Sequence, residues 1–103
     1  MMKRPATVDE YVALIRDAQY EVEEMRAAIE FDEEFMTDAA SYVNELDKSL
    51  RELLQSMQDG SYCWRTGDLP FMDFVRDLDE RVLPFRSLLI RINDTHKNGL
   101  EPE

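Results

Sequence analysis

Between Pro5 and Gly60 the chain has neither glycine nor proline, and its apolar positions recur in alternating steps of three and four. Val8, Tyr11, Ile15, Ala18, Val22, Met25 and Ile29 form the first such series, which places them on one stripe of a helix. Thr7 stands just before it with Glu10 three residues on, the spacing of a capping box in which each side chain satisfies a free backbone N–H. A first helix is predicted over about 7–30. Met36, Ala39, Val43, Leu46, Leu50, Leu53 and Met57 continue in the same phase to Asp59-Gly60, where glycine can close a helix in the left-handed conformation. A second helix is predicted over about 33–59.

The two series join without a slip, and the one residue out of place in the combined seam is Asp32, within Ile29-Glu30-Phe31-Asp32-Glu33-Glu34-Phe35. Two architectures separate at this point. If the chain turns, Asp32 is the N-cap of the second helix, Glu33 and Glu34 lie in the first turn where the helix dipole favours negative charge, and Phe31 and Met36 form a hydrophobic staple. If it does not, residues 7–59 form a single rod of roughly 80 Å, which needs a second chain to cover its far half, as in a coiled-coil dimer.

Phe71, Val75, Leu78, Val82, Phe85, Leu89 and Ile92 make a third series, with Asp68 as candidate N-cap and Pro70 in the first turn, ending at Asn98-Gly99. Leu-Pro-Phe occurs at 69–71 and again at 83–85. Pro84 removes a helical N–H and crowds the preceding turn, so a kink or split is expected at about 81–84. Because the apolar phase survives the proline, the two halves are expected to be nearly collinear within a helix over about 69–97, after a loop at 60–68. The expected fold is all-α, a single domain over 1–103: an up-down-up bundle of three helices, each roughly 36–42 Å long. The long-helix coiled-coil dimer is the alternative.

Composition adds constraints on function. The 103 residues carry 23 acidic against 12 basic side chains, for a formal charge of -11. Phosphate backbones and anionic membranes are repelled by such a surface, so no nucleic-acid partner is expected. The arginines at 76, 81, 86 and 91 do not change this, since a five-residue step turns around a helix rather than making one basic face. The basic N-terminus has no apolar segment behind it, and no stretch approaches the length of a membrane span. A cytoplasmic location follows as the expectation. The single Cys63 cannot form an internal disulfide, in keeping with a reducing compartment.

The acidic excess is concentrated in residues 21–38, which hold eight acids against the one base, Arg26. Glu30, Asp32, Glu33, Glu34 and Asp38 are therefore the first candidate binding surface, for a protein partner with basic surface. Read as a metal site, the same carboxylates could hold a divalent cation. A di-iron centre is disfavoured because such sites draw Glu-x-x-His pairs from facing helices, whereas the one histidine, His96, has Asn93 three places before it. No metal and no cofactor are expected. Cys63 and His96 are the only thiol and imidazole available for a dyad. The collinear third helix sets them roughly 40 Å apart, so no enzyme is expected. The same topology carries the end of the third helix, with Arg91, His96 and Lys97, toward the acids at 30–38. Tyr62, Trp64 and Arg65 in the loop at 60–68 are of the types enriched at binding hot spots, and form a second candidate interface unless they plug the end of the bundle. Tyr20, Phe31 and Phe74, off the main stripes, would extend an aromatic surface if exposed together.

KRPATVDEYVALI at 3–15, EVEEMRAAIEFDEEFM at 21–36 and GDLPF at 67–71 resemble a group of short bacterial helical proteins, some of them catalogued as general secretion pathway proteins. The resemblance implies an accessory role and carries over no functional residue. The sequence has neither the membrane segments of a secretion platform nor the nucleotide motif of a secretion ATPase. The expectation is a small acidic interaction or accessory module, monomeric rather than dimeric, with a divalent-cation-binding protein as the alternative.

Overall fold

The computed structural model describes the backbone over residues 4–31, 39–64, 66–78, 80–81 and 83–101, and side chains over the same ranges less 29–31 and 39–41. Among these described residues four helices pack together: α1 (Val8–Phe31), α2 (Ala39–Asp59), α3 (Met72–Val75) and α4 (Arg86–Asn98). Among the described residues there is no strand, so the all-α class holds.

α1 begins as its sequence dictates. Thr7 Oγ1 accepts from the Glu10 N–H at 3.1 Å, and the Glu10 carboxylate accepts from the N–H groups of Ala6 (2.7 Å) and Thr7 (3.2 Å). This is the capping box, with one further donor satisfied. α2 ends at Gly60, whose φ of +80° turns the chain out of the helix. The Tyr62 N–H then returns to the Ser56 carbonyl at 3.0 Å, and Asp59 Oδ1 accepts from the Ser61 N–H at 2.9 Å.

α1 and α2 run antiparallel. Arg26, late in α1, reaches Asn44 Oδ1 at 3.3 Å and Asp47 Oδ2 at 3.2 Å, early in α2. On an unbroken helix Arg26 and Asp47 would lie roughly 30 Å apart, so the single long rod is excluded, and with it the coiled coil built on that rod. The expected cap at Asp32 and its staple lie outside the described residues. Tyr11, Ile15, Ala18 and Val22 are fully buried, as are Leu46 and Leu50. Val8, the first member of the predicted stripe, is instead 47% exposed.

The third apolar series is where expectation and structure part. It contains two helices and a reversal rather than one kinked rod. The Leu69 N–H donates to Asn93 Oδ1 at 2.7 Å, Asn93 Nδ2 donates to Asp68 Oδ1 at 3.0 Å, and Arg86 Nε donates to the Val75 carbonyl at 3.3 Å. In a collinear helix Leu69 and Asn93 would be roughly 36 Å apart. The stretch at 69–75 therefore runs antiparallel to α2, with Phe74 against Tyr42 (ring centroids 6.0 Å apart). α4 returns beside it and antiparallel to α1, so that the Glu101 N–H meets the Pro5 carbonyl at 2.9 Å.

The break is also wider than the predicted 81–84. α3 ends after Val75, and Asp77 just beyond it places negative charge near a helix C-terminus that disfavours it. Its last carbonyls are taken instead by Arg86, which donates to both Val75 and Arg76. Pro84, with no N–H, cannot carry α4 back toward α3, and Leu83, off the predicted stripe, is fully buried at the turn. Nor is Asp68 an N-cap: α3 starts after Phe71, and the Asp68 carboxylate is used elsewhere.

Candidate functional site

The reversal brings the end of α4 to the loop between α2 and α3 and to the first turns of α1. His96 sits there with only 2% of its surface exposed. Its Nδ1 lies 2.5 Å from the Tyr62 hydroxyl and its Nε2 3.0 Å from Thr66 Oγ1. Thr66 in turn donates to the Cys63 carbonyl at 3.5 Å. With its hydrogen spent there, Thr66 accepts from Nε2–H, while either partner can donate in the bond between Nδ1 and the Tyr62 phenol, according to the protonation of the ring. The Tyr11 phenol is hydrogen-bonded to Tyr62 and also donates to the Ile92 carbonyl at 3.2 Å.

Aromatic rings fill the space around this chain of bonds. Trp64 stacks on Tyr11 with centroids 5.2 Å apart and meets the edge of Tyr62 at 4.8 Å, while Tyr62 leans on the imidazole at 5.4 Å. Burial pushes the Tyr11 phenol far above its ordinary range, and the bond to Tyr62 adds to this. Burial likewise raises Tyr62, with the Tyr11 bond opposing. For His96 burial lowers the imidazole below its ordinary value, opposed by the charge of Asp68.

Asp68 fastens the far side of the loop. Its carboxylate accepts from Asn93 Nδ2 at 3.0 Å and from Arg76, and it pairs with Lys97 Nζ at 3.3 Å. The Asn93 bond foremost, then Arg76, holds the carboxyl down at about 2. Asn93 is thereby the hinge pin: its oxygen takes the buried Leu69 N–H while its nitrogen holds Asp68.

Between the loop and α2 lies an open cleft of about 360 Å³. One wall is the polar stripe of α2, Ser49, Glu52 and Ser56; the other is Leu69 and Pro70, with Tyr62, Cys63 and His96 at the end. Cys63 and His96 thus share a cleft, contrary to their expected separation of roughly 40 Å; the folding back of α4 is the reason. They do not form a dyad. The exposed Cys63 thiol is directed at the Ser61 carbonyl (3.7 Å), and both ring nitrogens of His96 already have hydroxyl partners.

His96 and Lys97 lie far from the end of α1 that carries Glu30: the helix from Tyr11, beside the histidine, to Phe31 measures roughly 30 Å at ~1.5 Å per residue. The expected approach to the acids at 32–38 falls outside the described residues. Of the acidic candidates, Glu30 belongs to α1 but its side chain is outside the described residues, as are Asp32, Glu33, Glu34 and Asp38 altogether. Among the described residues no group of three or more His, Cys, Asp or Glu is placed to hold a metal ion. Tyr62 and Trp64 are half-buried in the aromatic cluster, and Arg65 is outside the described residues. Tyr20 is 63% exposed, whereas Phe74 is packed against the core, so they do not extend a common surface. Among the described residues no helix is long and apolar enough to cross a membrane.

Sequence reasoning missed Thr66, Asp68 and Asn93 as a set. A signal was present in Asn93, a polar residue beside the apolar stripe of α4, and in Ser49, Glu52 and Ser56, whose spacing lays a polar stripe along α2. No protein-family model, no curated protein and no solved structure matches the chain. Its role has to be argued from its own geometry.

Proposed function

We propose that this protein is a small non-enzymatic interaction or accessory module, acting as a cytoplasmic monomer and docking a protein partner with basic surface. The candidate docking surfaces are two: the acidic residues Glu30, Asp32, Glu33, Glu34 and Asp38, and separately the loop carrying Tyr62, Trp64 and Arg65 with the cleft beside it. The observation that carries this reading is the state of the one imidazole. His96 lines the cleft with both nitrogens engaged by Tyr62 and Thr66, so it tightens the fold and leaves the cleft without a free base. What the cleft retains is a surface for recognition, with hydroxyls and the Glu52 carboxylate facing Leu69 and Pro70. A net charge of -11 steers cationic partners toward such a molecule.

Charge reversal tests the reading. With a partner recovered from the native cell, Glu33→Lys/Glu34→Lys is expected to weaken binding by about tenfold or more and to flatten its dependence on salt. Unchanged affinity in this variant and in Glu52→Lys would remove the basic-partner reading. Melting with Ca²⁺, Mg²⁺ or Mn²⁺ is expected to leave the transition where it is; selective stabilisation by one of them would replace docking with cation binding.

A further inference from the structure

The cleft between the loop and α2 has few hydrogen-bond donors to offer a ligand. Its hydroxyl and thiol hydrogens are turned inward: Ser56 Oγ donates to the Leu53 carbonyl at 2.7 Å, Ser61 Oγ to Asp59 Oδ1 at 2.5 Å, Thr66 Oγ1 to the Cys63 carbonyl and the Cys63 thiol to the Ser61 carbonyl. The backbone is spent in the same way. The Ser61 N–H goes to Asp59, the Tyr62 N–H to the Ser56 carbonyl and the Leu69 N–H to Asn93, while Pro70 has none. Among the described residues Ser49 is the one hydroxyl lining the cleft without a bond inside the protein.

Acceptors, by contrast, are plentiful. A hydroxyl oxygen keeps lone-pair capacity after it has donated, and two carboxylates, Glu52 and Asp68, line the same walls. The two are not equivalent. Asp68 already takes Asn93, Arg76 and Lys97, whereas Glu52, exposed on α2, has no cation within pairing distance among the described residues. Lys48 shares the adjoining hollow with Glu52 but makes no ion pair there among the described residues. An open carboxylate beside acceptors whose hydrogens are committed selects a cationic donor and disfavours an anion. Leu53, Leu69 and Pro70 add apolar surface, which suits a methylene stem behind a charged head.

We infer that this cleft receives a guanidinium, the side chain of an arginine on the basic partner, with its head bonded to Glu52 and neighbouring hydroxyl oxygens and its stem against Leu69 and Pro70. The inference rests on the basic-partner reading and specifies what that partner inserts. Arginine is favoured over lysine by the layout. The acceptors come from α2 (Glu52 and Ser56) and from the loop (Ser61), and a planar guanidinium with five N–H donors can reach several at once. An ammonium is a compact, strongly hydrated point charge with three donors. The volume of about 360 Å³ falls within the ~300–1,000 Å³ usual for small-ligand sites, and the open mouth leaves room for the main chain that carries the arginine.

The test titrates acetyl-Gly-Arg-Gly-amide into the intact protein and follows amide NMR shifts at about 0.1 M salt, where exposed charges farther than ~10 Å apart are largely screened. The expected result is saturable movement concentrated at 49–56, 61–63 and 66–70. The lysine peptide is expected to bind at least about threefold more weakly, and the citrulline peptide, which keeps the shape without the charge, to leave these signals in place. Glu52→Gln is expected to weaken binding about fivefold or more, while Asp17→Asn, which removes the same charge from the exposed surface of α1, changes it by less than about twofold. No movement at the cleft up to about 20 mM peptide, an equal response to the lysine or citrulline peptide, or Glu52→Gln binding like the parent overturns the assignment. Because no partner is present in this titration, such a failure leaves the basic-partner reading to be decided by Glu33→Lys/Glu34→Lys.

Discussion

Along α1 and α2, Tyr11, Ile15, Ala18 and Val22 are buried on one helix and Val43, Leu46, Leu50 and Leu53 on the other, in a continuous apolar cluster. Where α4 meets the loop after α2, the chain is held instead by Asn93, Asp68, His96, Thr66 and Tyr62. Each region contains something of the other. Asp47, 8% exposed, ties Arg26 of α1 to α2 and also takes Arg51 at 3.1 Å, and the polar end is wrapped in three aromatic rings. The difference lies in what positions the chain. An apolar stripe says that a helix must be covered but not by what; a hydrogen bond between named atoms fixes direction as well.

The comparison breaks hardest in the apolar region. Leu50→Ala, at a fully buried position, is expected to cost ~2–5 kcal/mol and to lower the urea midpoint without any dependence on pH. At the polar end Asn93→Leu keeps the volume but strands the Leu69 N–H and takes a donor from Asp68. It is expected to cost ~1–3 kcal/mol, and hydrogen exchange would show the loss concentrated at 66–72, with α1 and α2 little changed. The smallest effect is the most selective. Asp68 falls from an ordinary 3.8 to about 2 in the folded protein, so its contribution is complete above 3.8 and is lost as the pH drops through about 2. Asp68→Asn is expected to flatten the acid limb of a stability profile in that window.

Local signals translated into structure with little loss. The Thr7–Glu10 box and the Gly60 turn are where the sequence places them, and most described members of the first two stripes are buried. The reversal after α3 was not legible for a specific reason. Phe71, Val75, Phe85, Leu89 and Ile92 are buried as expected, but a stripe that keeps its phase across Pro84 serves equally for two halves in line and for two halves folded against one core. Leu83 would have signalled the turn, being buried one place off the stripe. The clustering of Cys63, Tyr62, Thr66 and His96 followed from the reversal, and so was hidden with it. Asp68 was misread because an aspartate before an apolar series is as well suited to capping a helix as to bridging Asn93, Arg76 and Lys97.

Everything at the candidate site depends on α4 folding back, so that His96 meets the loop at the α1 start rather than the far end of the molecule. The direct measurement is the set of nuclear Overhauser contacts of the single histidine ring in solution. Contacts to the Tyr62 ring, 5.4 Å away between centroids, together with a Leu69 amide close to the Asn93 side chain, are the result expected. A histidine ring in contact with residues near Phe31 and silent toward Tyr62 would contradict the account.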